Sequence, residues 1–258
     1  MSGAAAGDER AAQLRSALEG LHARVERACA AAGRPPSGVR VVVTTKTWPA
    51  SDVLALARLG VRDVGEAREQ EARAKREEVL AAGWPDAAAE AVGGVQVRAD
   101  DGLRWHFLGR LQRNKAAAVA GWAALVHSCD SVRLADALAR GARRAERVLP
   151  VLAQVDLDGD GDPGRGGVPA PDLPALADHV AATPGLRLDG VMAVAPQGLP
   201  PDRAFARLAG LAAAVRADHP GAVVLSAGMT GDLEEAVAAG ATHLRVGRAV
   251  LGERPPLG

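Results

Sequence analysis

Eight short runs of strand-forming residues, with helical stretches between them, constrain this chain more than any other feature. The runs are 39–45 (VRVVVTT), 61–65 (VRDVG), 104–109 (RWHFLG), 124–128 (ALVHS), 148–156 (VLPVLAQVD), 186–194 (LRLDGVMAV), 222–226 (AVVLS) and 242–246 (THLRV). Helical patterns occupy 51–59, 66–82, 131–145, 172–182, 202–218 and 232–239, with a shorter, weaker one at 112–120. Near-continuous apolar runs suit strands buried on both faces, and regular strand–helix alternation builds parallel sheets. Eight such units predict a closed (β/α)8 TIM barrel, and a 258-residue chain has the length for one. An open doubly wound sheet is the competitor, but no strand is followed by a GxGxxG turn. An extra helix precedes the barrel over 9–32. Leu14, Leu18, Leu21 and Val25 recur there at spacings of three and four, and Gly33, Pro35 and Pro36 end the pattern. The predicted organisation is a flexible tail, 1–8, and a single domain, 9–258. The longest irregular stretch, 83–103, precedes the third strand on the side away from the usual active face and is given no chemical role.

Composition removes several function classes. Lys+Arg and Asp+Glu are both 31, which gives no basic footprint for nucleic acid. Aromatics are 2% of residues and tyrosine is absent. The chain therefore lacks stacking platforms for single strands and offers no tyrosine as an acid or base. Cys29 and Cys129 stand in no CxxC or Cys/His spacing, so structural zinc and a disulfide scaffold are not expected. No basic leader with an apolar core is present, nor a run of about 18 apolar residues; the expectation is a cytoplasmic protein without a membrane segment. The run DLDGDGDPGRGG, 156–167, spaces its aspartates like the start of an EF-hand, but its twelfth position is Gly167 instead of Glu. A surface loop without metal is expected there.

Ligands of parallel barrels bind at the C-terminal ends of the strands. The first run delivers Lys46 there, the second Gly65 and Glu66, and the third carries His106 and ends in Gly109 and Arg110. The fourth gives Ser128, Cys129 and Asp130, the fifth opens into Asp156–Gly167, the sixth gives Met192 through Gln197, the seventh reads SAGMTGD, 226–232, and the eighth gives Arg245, Gly247 and Arg248. In SAGMTGD a strand end meets a turn of small residues and a helix start, with Asp232 as the expected N-cap. Small residues let backbone N–H groups approach a ligand, helix starts favour anions, and barrels often bind phosphate after strands seven and eight. Ser226, Gly228, Met229, Thr230, Gly247 and Arg248 are thus a candidate phosphate cradle; an ordinary connection with glycine at its tight turns is the alternative. Lys46 beside such a cradle can form an imine with an aldehyde once it loses its proton, which partial burial or a nearby cation such as Arg245 favours. A lysine that snorkels from the barrel rim to water is the bland reading. His106 fits a core histidine as well as a ligand contact, and His22, His127, His179, His219 and His243 carry no assigned role.

The segments VVVTTKTWPASDVLALARLGVRDVGEA, WHFLGRLQRNKAAAV, LRLDGVMAVAP and LSAGMTGDLEEAVAAGATHLRVGRAVLG, in this order, resemble the pyridoxal-phosphate homeostasis protein family, single-domain relatives of the alanine racemase barrel. The resemblance runs from the N-terminal helix through the last strand. It implies a barrel of the alanine racemase N-terminal type. It also implies that Lys46 holds pyridoxal 5′-phosphate (PLP) as a Schiff base. Ser226, Met229, Thr230 and Gly247 would bind the phosphate, with Gly228 allowing the turn, and His106 and Met192 would line the pocket. Arg245 would face the pyridine nitrogen, disfavour its protonation and make the ring a poorer electron sink. The implied role is storage, buffering and delivery of PLP to apoenzymes, with no catalytic residue, and a lone barrel suggests a monomer. Departures from the family pattern fall at three places: Ala67 where Asn is usual, Arg248 where Thr is frequent, and Arg165-Gly166-Gly167 where Lys-Ser-Gly is usual. Two other functions stay open. A racemase or lyase would need Glu66, His106 or Cys129 as a proton shuttle. A phosphate-ligand module would use Lys46 as a charge only.

Overall fold

All eight runs become strands of one closed barrel in the computed structural model, which describes residues 2–84, 86, 102–158 and 166–253, with side chains from residue 7 onward. The strands are β1 (Arg40–Thr44), β2 (Asp63–Glu66), β3 (Arg104–Phe107), β4 (Leu125–Cys129), β5 (Leu149–Asp156), β6 (Leu186–Met192), β7 (Val224–Ser226) and β8 (His243–Val246). Each pairs in parallel with the next, and β8 returns to β1 through Arg40↔His243 and Val43↔Val246. A two-residue strand, Val168–Pro169, adds to the end of β5. The closed ring excludes the open-sheet alternative.

Helices follow the strands as α2 (Ala50–Arg58), α3 (Glu69–Ala81), α4 (Ala116–Ala120), α5 (Val132–Arg144), α6 (Leu173–Ala182), α7 (Pro201–Asp218), α8 (Leu233–Ala238) and α9 (Arg248–Leu251). The outward strand residues Val43, Phe107, Val126, Val151 and Val191 are buried beneath helix residues such as Leu56, Leu138, Leu176 and Leu208. Each such side chain contributes about 1.5–3 kcal/mol of transfer free energy. The extra helix, α1, runs Ser2–Ala31 and packs on α8 and α9 through the predicted stripe of Leu14, Leu18, Leu21 and Val25. The expected tail is helical from Ser2 on. Ala4, Ala5 and Ala6 are strong helix formers, so the backbone simply continues the helix outward. Most of the 83–103 stretch and residues 159–165 of the aspartate-rich loop lie outside the described residues.

Side chains alternate between the two faces of a strand. The registers therefore assign the barrel interior to Asp63, His106, His127, Gln154, Met192, Ser226, His243 and Arg245, among others. On one side of that interior Leu125, Leu152 and Met192 form a small apolar cluster of their own. The other side is polar, and at its foot Asp63 accepts two hydrogen bonds from Arg104, both 2.7 Å, and two from Arg40. The apolar side depends on a glycine. Gly190 sits at φ +152, where the β5–β6 register shifts, and a Cβ there would lie 1.9 Å from the Val224 carbonyl oxygen. Gly190→Ala is expected to cost about 3 kcal/mol, because backbone of a neighbouring strand cannot step aside. A urea titration would show it as a lowered midpoint at unchanged slope.

Candidate functional site

A pocket of about 510 Å³ opens at the C-terminal ends of β1, β7 and β8. Lys46, Met229, Thr230, Arg245, Gly247 and Arg248 line it, so six of the predicted site residues meet in one place. Leu108, Gly109 and Ala67 form part of the opposite wall, and Trp48 and Val194 add apolar surface.

The backbone places Lys46 at a cost. β1 ends at Thr44, and Thr47 then takes φ +69, left-handed space that a β-branched residue rarely enters. The Trp48 N–H closes the turn on the Thr45 carbonyl at 3.0 Å, and Pro49 starts α2. Strain of this kind is of order 1–3 kcal/mol and persists where the surroundings over-determine it. Here the restraint is a buried clamp behind the strand. Lys75 Nζ donates to the Thr45 carbonyl (2.8 Å) and to Glu66 Oε1 (2.5 Å), and the Thr45 hydroxyl donates to the same carboxylate oxygen at 2.6 Å. Burial pushes the Glu66 carboxyl up and the Lys75 charge opposes that push. Nothing local in the sequence marks Lys75, which sits in a charged run, EQEARAKREE, that reads as a solvated helix face.

The β7 turn is built for close approach. Gly228 has φ +85, and a Cβ there would come within 2.6 Å of Ala236 Cβ. Asp232 precedes α8, but its side chain does not cap that helix. Its Oδ1 instead accepts the Met229 N–H at 2.6 Å and ties the turn together. Asp232 thus holds the expected N-cap position of α8, with φ −144 and ψ 22, but its carboxylate reaches back into the turn and makes no bond to the helix. Thr230 Oγ1 accepts the Ala249 N–H at 3.3 Å, which joins this turn to α9.

Four predicted residues do not line the pocket. Gly228 lies under the turn. Met192 is buried in the apolar cluster with Leu125 and Leu152. His106 and Ser226 are interior, one or more layers below the pocket floor. Ser226 Oγ, expected on a phosphate, is instead bonded to Arg245 (2.7 Å) and His127 (2.8 Å). The physical reason is strand phase: Ser226 is the last residue of a three-residue strand and shares the inward face with Met192 and His243. His127, which the sequence left without a role, is wholly buried among these groups.

Lys46, Arg245 and Arg248 outnumber the single acid, Asp232, among the lining residues. Burial lowers the Arg245 guanidinium to about 10, with the Asp232 charge opposing, so it stays charged at neutral pH. The pocket thus offers an amine on one wall, a cation in the floor and a second cation at the rim. That combination suits a small anionic carbonyl compound. A larger groove of about 920 Å³ lies farther out, lined by Arg110, Arg113 and Arg133 among others, and holds no lysine. Among the described residues no group of three or more His, Cys, Asp or Glu is placed to hold a metal ion.

The family profile described as alanine racemase, N-terminal domain, matches residues 17–255. The pyridoxal phosphate homeostasis protein of Mycobacterium tuberculosis is 43% identical over 257 residues, covering 95% of each chain. Its counterpart from Corynebacterium glutamicum is 38% identical and covers 91% of this chain and 99% of its own. Among solved structures, PipY of Synechococcus elongatus with PLP bound superposes with a TM-score of 0.75 at 31% identity, covering 93% of this chain and all of that one.

Proposed function

The chain belongs to the pyridoxal phosphate homeostasis protein family, and from that premise we propose that it holds PLP reversibly at Lys46 and serves PLP storage, buffering and delivery. The observation that carries this reading is a half-buried lysine held by a strained turn in a pocket with a surplus of cations. The donor set suits the ligand: an amine for the aldehyde, and Arg245 and Arg248 for the negative charge. When bound, the aldehyde supplies a Schiff base with the lysine amine, with loss of water.

The protein's own residues do the rest. The Glu66–Lys75–Thr45 clamp fixes the turn that presents the Lys46 amine. The loop 228–231 keeps small residues at the anion end. Arg245 keeps a positive charge in the floor, which opposes protonation of a basic ring nitrogen set against it. Arg248 adds a rim cation where relatives of the expected pattern have a hydroxyl, and Ala67 leaves one wall without an amide.

The three proton shuttles that the enzyme reading needs are not among the described residues that line the pocket. Glu66 faces α3 and is tied to Lys75. Burial, with Asp130 nearby, pushes the Cys129 thiol up to about 12. His106 is interior. None of the three lines the cavity. Delivery to PLP-dependent apoenzymes, a monomeric state and a cytoplasmic location complete the proposal; no helix among the described residues is long and apolar enough to cross a membrane.

Titration of the protein with PLP tests the reading. A visible imine band that saturates at one equivalent and survives desalting is the expected result. A spectrum identical to free PLP at saturation would sink it.

A further inference from the structure

A continuous hydrogen-bonded column crosses the barrel interior from its N-terminal end to the pocket floor. Asp63 Oδ1 meets His106 Nε2 at 3.0 Å, and His106 Nδ1 meets His127 Nε2 at 2.9 Å. His127 Nδ1 meets Ser226 Oγ at 2.8 Å, and the Arg245 guanidinium donates to that oxygen at 2.7 Å. Asp63, His106, His127, Ser226 and Arg245 are all buried.

The two ends fix the direction of every proton between them. Arg245 can only donate. Burial works to raise the Asp63 carboxyl, but hydrogen bonds from Arg104 and His106 and the Arg40 charge outweigh it, so Asp63 stays ionised and can only accept. Burial keeps both rings neutral, so each has one N–H and one lone pair. His106 then donates through Nε2 to Asp63 and accepts at Nδ1 from His127. His127 accepts at Nδ1 from the Ser226 hydroxyl. That leaves a Ser226 lone pair facing Arg245. Tautomers read this way from a network are assignments, but here both ends demand the same one. The other amino group of Arg245 donates to the Ala193 carbonyl at 2.9 Å, so the guanidinium is held at two points.

We propose that His127 and Ser226 are positioning residues that hold Arg245 in the pocket floor against the ring of the bound aldehyde, and that Ser226 acts through Arg245 and makes no contact with the phosphate. The proposal rests on the PLP reading. It assigns the buried histidines a task that packing alone would not require, since uncharged rings in a core need only be satisfied. It also moves Ser226 from the anion end of the ligand to the ring end.

The test compares PLP with 5-deoxypyridoxal, which has the same ring and aldehyde and no phosphate. Affinity is read from the imine band, with trapping by borohydride as a second readout. Ser226→Ala is expected to weaken both compounds by a similar factor, about tenfold. In an Arg245→Leu background the same change is expected to alter affinity less than twofold. His127→Leu should repeat the Ser226→Ala loss, and His127→Gln, which keeps an acceptor near the hydroxyl, should recover most of it. Loss confined to PLP would make Ser226 a phosphate ligand and overturn the proposal. An undiminished loss without Arg245, or equal losses for His127→Leu and His127→Gln at equal melting temperature, would also overturn it. A parent protein that traps neither compound would overturn the PLP reading itself, a result distinct from all of these. If a His127 variant fails to fold, the Ser226 and Arg245 pair alone decides.

Discussion

Lys46→Ala is expected to abolish both the visible band with PLP and the borohydride-trapped adduct, a complete loss and not a weakening. The chain has only three lysines, Lys46, Lys75 and Lys115. Lys75 is 7% exposed and bound to Glu66 and the Thr45 carbonyl, so its amine does not reach the pocket. Lys115 lies 3.9 Å from a Glu69 carboxylate oxygen and borders a different groove, with Arg110 and Gln112. No second lysine can take over from the pocket. Lys46→Arg sharpens the result. It keeps the positive charge and the rim electrostatics, yet a guanidinium does not condense with an aldehyde under these conditions. Residual, reversible PLP binding with no trapped adduct in Lys46→Arg would show that Arg245, Arg248 and the 228–231 turn hold the anion on their own. Both variants should melt close to the parent, since the Lys46 side chain is half-buried at a rim and exposed-site changes are generally within about 0.5 kcal/mol. A mass-mapped adduct on Lys75, Lys115 or the N-terminal amine with Lys46 left unmodified would defeat the assignment.

The strand ends were legible in the sequence because β-branched runs stop where small residues begin. VVVTTK and LSAGMTG announce both a strand and its exit, so Lys46, Met229 and Thr230 could be placed on one barrel face without coordinates. Arg245, Gly247 and Arg248 follow from the same logic on β8. What the sequence could not give was phase and depth. Ser226 and Met229 are three positions apart, yet one is interior and the other lines the pocket, because β7 ends between them. His106 likewise points inward at a level below the mouth. His127 and Asp63 were invisible as partners, since they lie 21 and 43 positions from His106 and only barrel closure brings the three together. Lys75 was hidden by its neighbours: burial of one lysine in a charged helix is decided by Glu66 on the adjacent strand, not by anything local. The tail shows the opposite case, as local alanine propensity continues α1 through residues expected to be flexible.

The interior column makes a second large effect unavoidable: acid should destabilise this fold well above the pH at which carboxylates titrate. Burial lowers His106, His127 and His243, the last to about 3, with neighbouring cationic groups reinforcing the shift. His243 belongs to the same cluster, its ring centroid 6.2 Å from those of His106 and His127. For such groups the unfolded chain, with rings near 6.5, binds more protons than the folded one. Their contribution is therefore complete above about pH 6.5 and is lost as pH falls toward the folded values. At pH 5 each ring that stays neutral costs about 2 kcal/mol relative to pH 7, so His127 and His243 together account for about 4 kcal/mol. Asp63 acts later: its carboxyl is held far below 3.8, so its share is present above that value and disappears only below it. Urea midpoints are expected to be flat between pH 7 and 8 and to drop steeply by pH 5, before the Asp63 window opens. A profile level down to pH 5 would mean that these rings titrate normally and that the column is not dry. The site does not share this dependence, because in the folded protein His127 stays neutral and keeps the lone pair that accepts from Ser226. Below pH 6 the barrel should therefore lose stability while the hold on Arg245 persists, and Ser226→Ala should leave the pH dependence of both PLP affinity and the urea midpoint as it is in the parent.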